Sequence, residues 1–118
     1  MSDVVSWLFK MQVKPGQLDA FRTLMEEMVE ASRSEPGTLV YEWFINDAND
    51  SVHIYERYEN SAAVLNHGAT FGEKYAERFM GCVEPTSFDI YGDPSADVQA
   101  AFSDFSPGYF GIFGGFAR

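Results

Sequence analysis

A chain of 118 residues, 46% of them apolar, is long enough to close one hydrophobic core without disulfide or metal support. Its 18 acidic and 8 basic side chains leave a formal net charge of −10, which argues against nucleic acid and membranes as partners, because phosphates are met by Lys and Arg. Cys82, the single cysteine, excludes an intrachain disulfide and a cysteine-built metal cage, and suits a reducing, cytoplasmic setting.

The opening Met1-Ser2-Asp3 lacks the basic region and apolar run of a secretory leader, so none is expected. No apolar stretch approaches the length needed to span a bilayer. The aromatic share, 16%, calls for a dense core, a ring-lined cavity, or a partner subunit that covers what one core leaves over.

Val4 to Val13 alternates with period two, the pattern of a strand: Val5, Trp7, Phe9, Met11 and Val13 share one face, Ser6, Leu8, Lys10 and Gln12 the other. Lys14-Pro15-Gly16 breaks it. From Gln17 to Ser34 the period becomes helical, with Leu18, Phe21, Leu24, Met25, Met28 and Val29 in one stripe. Glu35-Pro36-Gly37 stops that helix and turns the chain. Thr38 to Asn46 reads as a second strand with two largely apolar faces, both expected to be buried. Asp47-Ala48-Asn49-Asp50 is a polar hairpin, and Ser51 to Tyr58 is a third strand. On it Val52, Ile54, Glu56 and Tyr58 lie opposite His53, Tyr55 and Arg57.

Asn60 or Ser61 can cap a second helix. Gly68 is expected to interrupt it and Thr70-Phe71-Gly72-Glu73, with capping-box spacing, to restart it. Phe71, Tyr75 and Phe79 then fall at core spacing, Gly81 is a stop, and Val83 to Tyr91 is a fourth strand. The order βαββαβ predicts an α+β, ferredoxin-like fold: an antiparallel sheet with both helices on one face, and a second copy of the chain on the other. Residues 1–92 form that unit. Residues 93–118 form a C-terminal aromatic extension, with a short helix capped by Ser95 and a glycine-rich end from Tyr109 to Phe116. That end is expected to pack on its own or the partner subunit.

Several of these pieces together resemble one family. Val13-Lys14-Pro15-Gly16 is followed by a helix entering Ser32-Arg33-Ser34-Glu35-Pro36-Gly37-Thr38, then Tyr41-Glu42-Trp43. Tyr55-Glu56-Arg57-Tyr58 leads to Ala62-Ala63 and His67. Over residues 4–91 the chain is similar to the antibiotic biosynthesis monooxygenase family. The resemblance implies a dimeric α+β barrel with a cavity between sheet and helices. It also implies that some relatives oxidise quinols or polyketide aromatics without metal or flavin, while others degrade haem or isomerise small sugar-derived signals. A histidine matching His67 often faces the cavity in that family.

Cofactor-free oxygenation requires an electron-rich substrate that can lose a proton, a dry aromatic pocket, a base, and a donor for the substrate oxygen. His67, an imidazole with an ordinary pKa of about 6.5, is the expected base or proton shuttle. Asn66 beside it is the second expected catalytic group. Trp43, Tyr41, Tyr75 and Phe71 are the expected substrate-binding residues. The plain alternatives are a helix C-cap role for His67, an exposed Asn66, and sheet or helix core for the aromatics; Trp7 and Phe9 have the same two readings, with core the stronger. Glu42 and Glu56 lie on neighbouring strands, with Arg57 or Arg33 as the expected ion partners. His53 shares a face with Arg57 and Tyr55 near a hairpin, a position that does not mark it as a ligand. No metal site is expected, and Cys82 is expected to act as a small buried hydrophobe.

The function so predicted is cofactor-independent monooxygenation of a small aromatic, quinol-like or polyketide-like substrate with O₂ by a homodimer. The alternatives are haem degradation with His67 as an axial ligand, isomerisation without oxygen, and a non-catalytic ligand-binding or stress-response barrel whose aromatics are core and interface.

Overall fold

The alternation at the start of the chain forms β1, Val5–Val13, whose Val5, Trp7, Phe9 and Met11 are buried. The computed structural model describes residues 3–118. Met1 and Ser2, on which the expectation of no secretory leader partly rests and with which the expected first unit begins, lie outside them. After Gly16, at φ +77, the chain enters α1, Leu18–Arg33, which buries Phe21, Leu24, Met28 and Ser32 at helical spacing. Each such apolar side chain taken from water contributes roughly 1.5–3 kcal/mol. Glu35 ends the helix turn: its amide donates to Ser32 O, and its carbonyl accepts from the Thr38 amide.

The strands β2, Thr38–Ile45, and β3, Ser51–Tyr58, form a hairpin. Its turn is held by Asn46 Oδ1, which accepts from the amides of Asp50 and Ser51. Asn60 Oδ1 accepts from the Ala63 amide at 2.8 Å and caps α2, Ser61–Thr70. A π-helical turn, Phe71–Tyr75, leads into α3, Ala76–Cys82, and then β4, Val83–Gly92. Helix α4, Ala96–Ala101, is capped by the Ser95 hydroxyl, as its sequence suggests. A 3-10 turn follows at Ser103–Phe105, and β5 at Gly108–Phe110.

The expected break at Gly68 does not occur. Helix α2 runs through it, and Thr70, at φ −64 and ψ −43, is itself helical with no side-chain cap bond. A capping box is not needed there because the Phe71 amide already reaches the carbonyls of His67 and Gly68. The widened π turn also shifts the Phe71-Tyr75-Phe79 series off a single stripe. Phe79 is buried, while Phe71 and Tyr75 are half-exposed at the core edge.

Among the described residues the sheet order is β2-β3-β1-β4-β5, open at both edges, with β5 parallel to β4 and the other pairs antiparallel. This is the expected ferredoxin-like α+β arrangement with one strand added. The helix-covered face contains the core. The outer face is bare in a single chain, where Phe44 is exposed; Leu39 and Ile45, near the two ends of β2, are exposed as well, and the expected cover of the outer face is a second copy. Beyond β5, Ile112, Phe113 and Phe116 project from the body with at least 80% of their surface free.

Strand register decides what lies under the helices. Trp7 stands opposite Glu56 on one side and Ile90 on the other, and Glu56 stands opposite Tyr41. The next inward-facing row runs Phe88, Phe9, Ile54, Trp43. One carboxylate therefore sits in an otherwise uncharged floor.

Candidate active site

His67 lies on the buried side of α2, three positions after Val64, and reaches over the sheet floor. Its Nδ1 is 2.8 Å from Glu35 Oε1, and its Nε2 is 3.4 Å from Glu56 Oε1. Glu35 Oε1 also accepts the Thr38 hydroxyl at 2.8 Å. Glu56 Oε1 accepts the Tyr58 hydroxyl at 2.6 Å, a short O–H···O contact of the charge-assisted kind. The imidazole packs edge-on to Tyr41 and tilted against Tyr58, with ring centroids 5.2 and 5.3 Å away.

The hydrogen-bond network assigns the tautomer. Glu35, receiving the Thr38 proton, is an acceptor, so Nδ1 carries the hydrogen directed at it. That leaves Nε2 on the side of Glu56 and the cavity. Burial pushes the Glu56 carboxyl above its ordinary range, against the opposing pull of His67 and of hydrogen bonds from Tyr58 and Trp7. The raised acid lies 3.4 Å from the imidazole nitrogen that the Glu35 bond leaves facing the cavity. Tyr41 and Tyr58 are pushed far up, first by burial and then by the Glu56 charge, so both phenols stay protonated and act as hydrogen-bond donors, not bases.

The cavity beside this array measures about 40 Å³. Trp7, Phe9, Ile54 and Phe88 form its floor, with His67, Glu56, Tyr41 and Phe71 around it and Phe102 and Phe105 above. The expected site residues are divided by this geometry. His67, Tyr41 and Phe71 line the cavity together. Tyr75 borders a narrow recess behind it, shared with Glu35, Tyr41 and His67. Trp43 lines a separate recess between α1 and β2 with Phe21, Arg22 and Phe44, and touches the main site through Tyr41, 5.8 Å away centroid to centroid. Its indole N–H is out of reach of water. It lies near enough to Tyr41 to pull that phenol's pKa down, yet makes no hydrogen bond of acceptable geometry. Asn66 points to the outer side of α2, exposed, by a surface depression under Pro36 and Gly37.

The C-cap alternative for His67 and the expected arginine partners of Glu56 are both corrected: each of the two groups has the other as its neighbour. Arg33 pairs instead with Glu30 on the helix surface, and Glu42 sits on the outer face of the sheet. Glu35, Glu56 and Tyr58 were not among the expected site residues. The signal for Glu56 was its phase, a carboxylate between Ile54 and Tyr58 on the inward side of β3. Glu35 carried no such signal, being a turn residue by every local measure. Among the described residues no cluster of three or more His, Cys, Asp or Glu is set to hold a metal ion, and no helix is long and apolar enough to cross a membrane.

The ferredoxin-like frame that carries this site has relatives. Residues 5–80 match the family model described as antibiotic biosynthesis monooxygenase, and the chain belongs to that family. It superposes on MupZ from Pseudomonas fluorescens with a TM-score of 0.88 over 100% of this chain and 91% of that one, at 21% identity. SnoaB, a cofactor-independent oxygenase from Streptomyces nogalater, aligns with a TM-score of 0.67 over 80% of this chain and 97% of its own, at 12% identity. Uncharacterized protein sll1783 from Synechocystis is 29% identical over 83 residues, and the match covers 68% of this chain but 56% of that relative, little more than half its length. At such identities the structural likenesses establish the fold.

Proposed function

We propose that the chain takes a small aromatic, quinol-like or polyketide-like substrate into this cavity, and that His67, backed by Glu35, removes a proton from it. The resulting anion donates electrons to O₂ without a cofactor. With an anthrone-like substrate a ring CH₂ becomes C=O; with a quinol a ring C–H becomes C–OH and the quinol becomes a quinone. In both the second oxygen atom leaves as water and all four electrons come from the substrate, so no external reductant is required. Tyr41 supplies the hydrogen bond that holds the substrate oxyanion. The observation that carries this reading is His67 held between buried Glu56 and partly buried Glu35 on the wall of an aromatic cavity. Membership of the family and likeness to SnoaB support it. Oxygen consumption with a panel of quinols and anthrones tests it: uptake above background that disappears in His67→Ala is expected, and uptake no faster than buffer with every substrate would refute it.

A second reading is acid–base isomerisation without oxygen. It is favoured by Glu56, since a carboxyl held above its usual range beside a base supplies an acid that oxygenation does not require. Substrate turnover under nitrogen would select it. Axial ligation of a haem iron would require one of the two carboxylate contacts of His67 to break. The working unit proposed is a homodimer in the cytoplasm, with the bare sheet face and the C-terminal aromatics buried against a second copy. The exposed Phe44 and Phe113 support that assembly.

A further inference from the structure

We propose that Phe102 and Phe105 occupy the ring-binding part of the cavity, and that an aromatic ligand enters by displacing them. The inference deepens the reading above, sharing its cavity but needing no turnover. Phe102 packs edge-on against Trp7 and Phe88, with centroids 5.2 and 5.6 Å apart. Phe105 does the same with Phe9 and Phe88, each 5.7 Å away. These are the contacts an aromatic guest would make on the same floor. A Cβ built on Gly68, the residue after His67, would lie 3.8 Å from Phe102 Cζ, so the space under this ring adjoins the base.

The volume left beside the rings, about 40 Å³, admits one or two water molecules. An apolar cavity that takes up benzene measures about 150 Å³. As it stands the cavity admits no ring, which is also what a non-catalytic barrel would show. What separates the two is how the rings are held. The segment's own hydrogen bonds are local: Phe102 N to Val98 O, Phe105 N to Phe102 O, Ser106 N to Ser103 O, and Ser103 Oγ to Ala100 O. Its ends are tied, by Ser95 N to Ser61 Oγ on one side and by the β4–β5 ladder on the other. Between these ties, side-chain packing holds the two rings in place. The segment closes at Ser106, a non-glycine residue at φ +48, a conformation disfavoured for any residue with a Cβ.

The test uses the full chain and 1-naphthol as probe, with affinity from calorimetry and location from amide NMR shifts. Phe102→Ala and Phe105→Ala are each expected to bind the probe at least 10-fold tighter than the parent, with the largest shift at the Gly68 amide. Equal affinity in variants that keep the parent's near-UV circular dichroism would overturn the proposal, as would shifts centred on the recess of Trp43 and Phe44. Should the alanine variants lose their fold, Phe105→Leu, which removes the ring but keeps bulk, is expected to show a smaller gain, and no gain there overturns it equally. The gain must persist in a His67→Ala background, because displacement needs no base. Oxygen uptake by the parent no faster than buffer with every substrate would therefore count against the catalytic reading and leave this one standing.

Discussion

His67 Nδ1 meets Glu35 Oε1 at 2.8 Å although 32 positions separate the two residues, and this bond ties the turn after α1 to the second helix. It gives the Glu35-Pro36-Gly37 turn a chemical role besides its structural one. The turn presents the carboxylate that directs the imidazole hydrogen away from the cavity.

Replacing Glu35 with Gln is therefore expected to harm catalysis more than binding. An amide can offer its NH₂ to Nδ1, which moves the ring hydrogen to Nε2 and removes the base. A fall in kcat of about 10- to 100-fold, with KM within about twofold, is expected from oxygen-uptake kinetics. Thermal melts should show a loss of about 1.5–3 kcal/mol from the charged hydrogen bonds to Thr38 and His67.

Glu56 makes the stability depend on pH in a definite sense. Its folded pKa is raised from 4.5, so its contribution is whole below that value, where the carboxyl is protonated in both states. The contribution is lost as the pH rises through the folded pKa and a charge forms in a buried site. Glu56→Gln cannot ionise. Melting temperatures measured from pH 4.5 to 8 should fall less steeply in the variant than in the parent, and parallel curves would refute the assignment.

Gly37 has a steric duty towards the site. A Cβ there would stand 2.5 Å from Ala63 Cβ, on the first turn of the helix that carries His67. Gly37→Ala is expected to cost about 1–3 kcal/mol in denaturant unfolding, as overpacking does. Ala63→Gly in the same chain should recover most of it, because the two effects share one contact.

Tyr41 and Trp43 should part company in kinetics. Tyr41→Phe removes a phenol donor from the cavity wall, and a loss of about 10-fold or more in kcat is expected. Trp43→Phe removes a buried N–H that lacks a hydrogen-bond partner, in a different recess. Its turnover should stay within about twofold of the parent, and its melting temperature should hold or rise.

The bare sheet face predicts the assembly. Phe44 is 54% exposed on the outer side of β2, opposite His53. Light scattering after gel filtration is expected to give a dimer for the parent and a monomer for Phe44→Glu. The parent's melting temperature alone should rise with protein concentration.

Much of this molecule is written locally. Period-two alternation marked β1 and β3, the three-and-four spacing of Phe21, Leu24 and Met28 marked α1, and the caps Asn60 and Ser95 stand where their side chains suggested. These features depend on neighbours a few residues away, so a linear reading finds them. His67 was legible as a candidate for the same reason, lying on an apolar helix next to a family-like pattern. What surrounds it was not legible. The meeting of Glu35, Glu56 and His67 depends on which strand lies beside which and on where α2 crosses the floor. The division of Trp43 from Tyr41 depends on which recess each ring faces. The closing of the cavity by Phe102 and Phe105 brings together residues from opposite ends of the chain. Sequence determines periodicity and caps because those are short-range. The tertiary structure decides protonation, access and partners because charge, burial and volume are set by whatever the fold brings near.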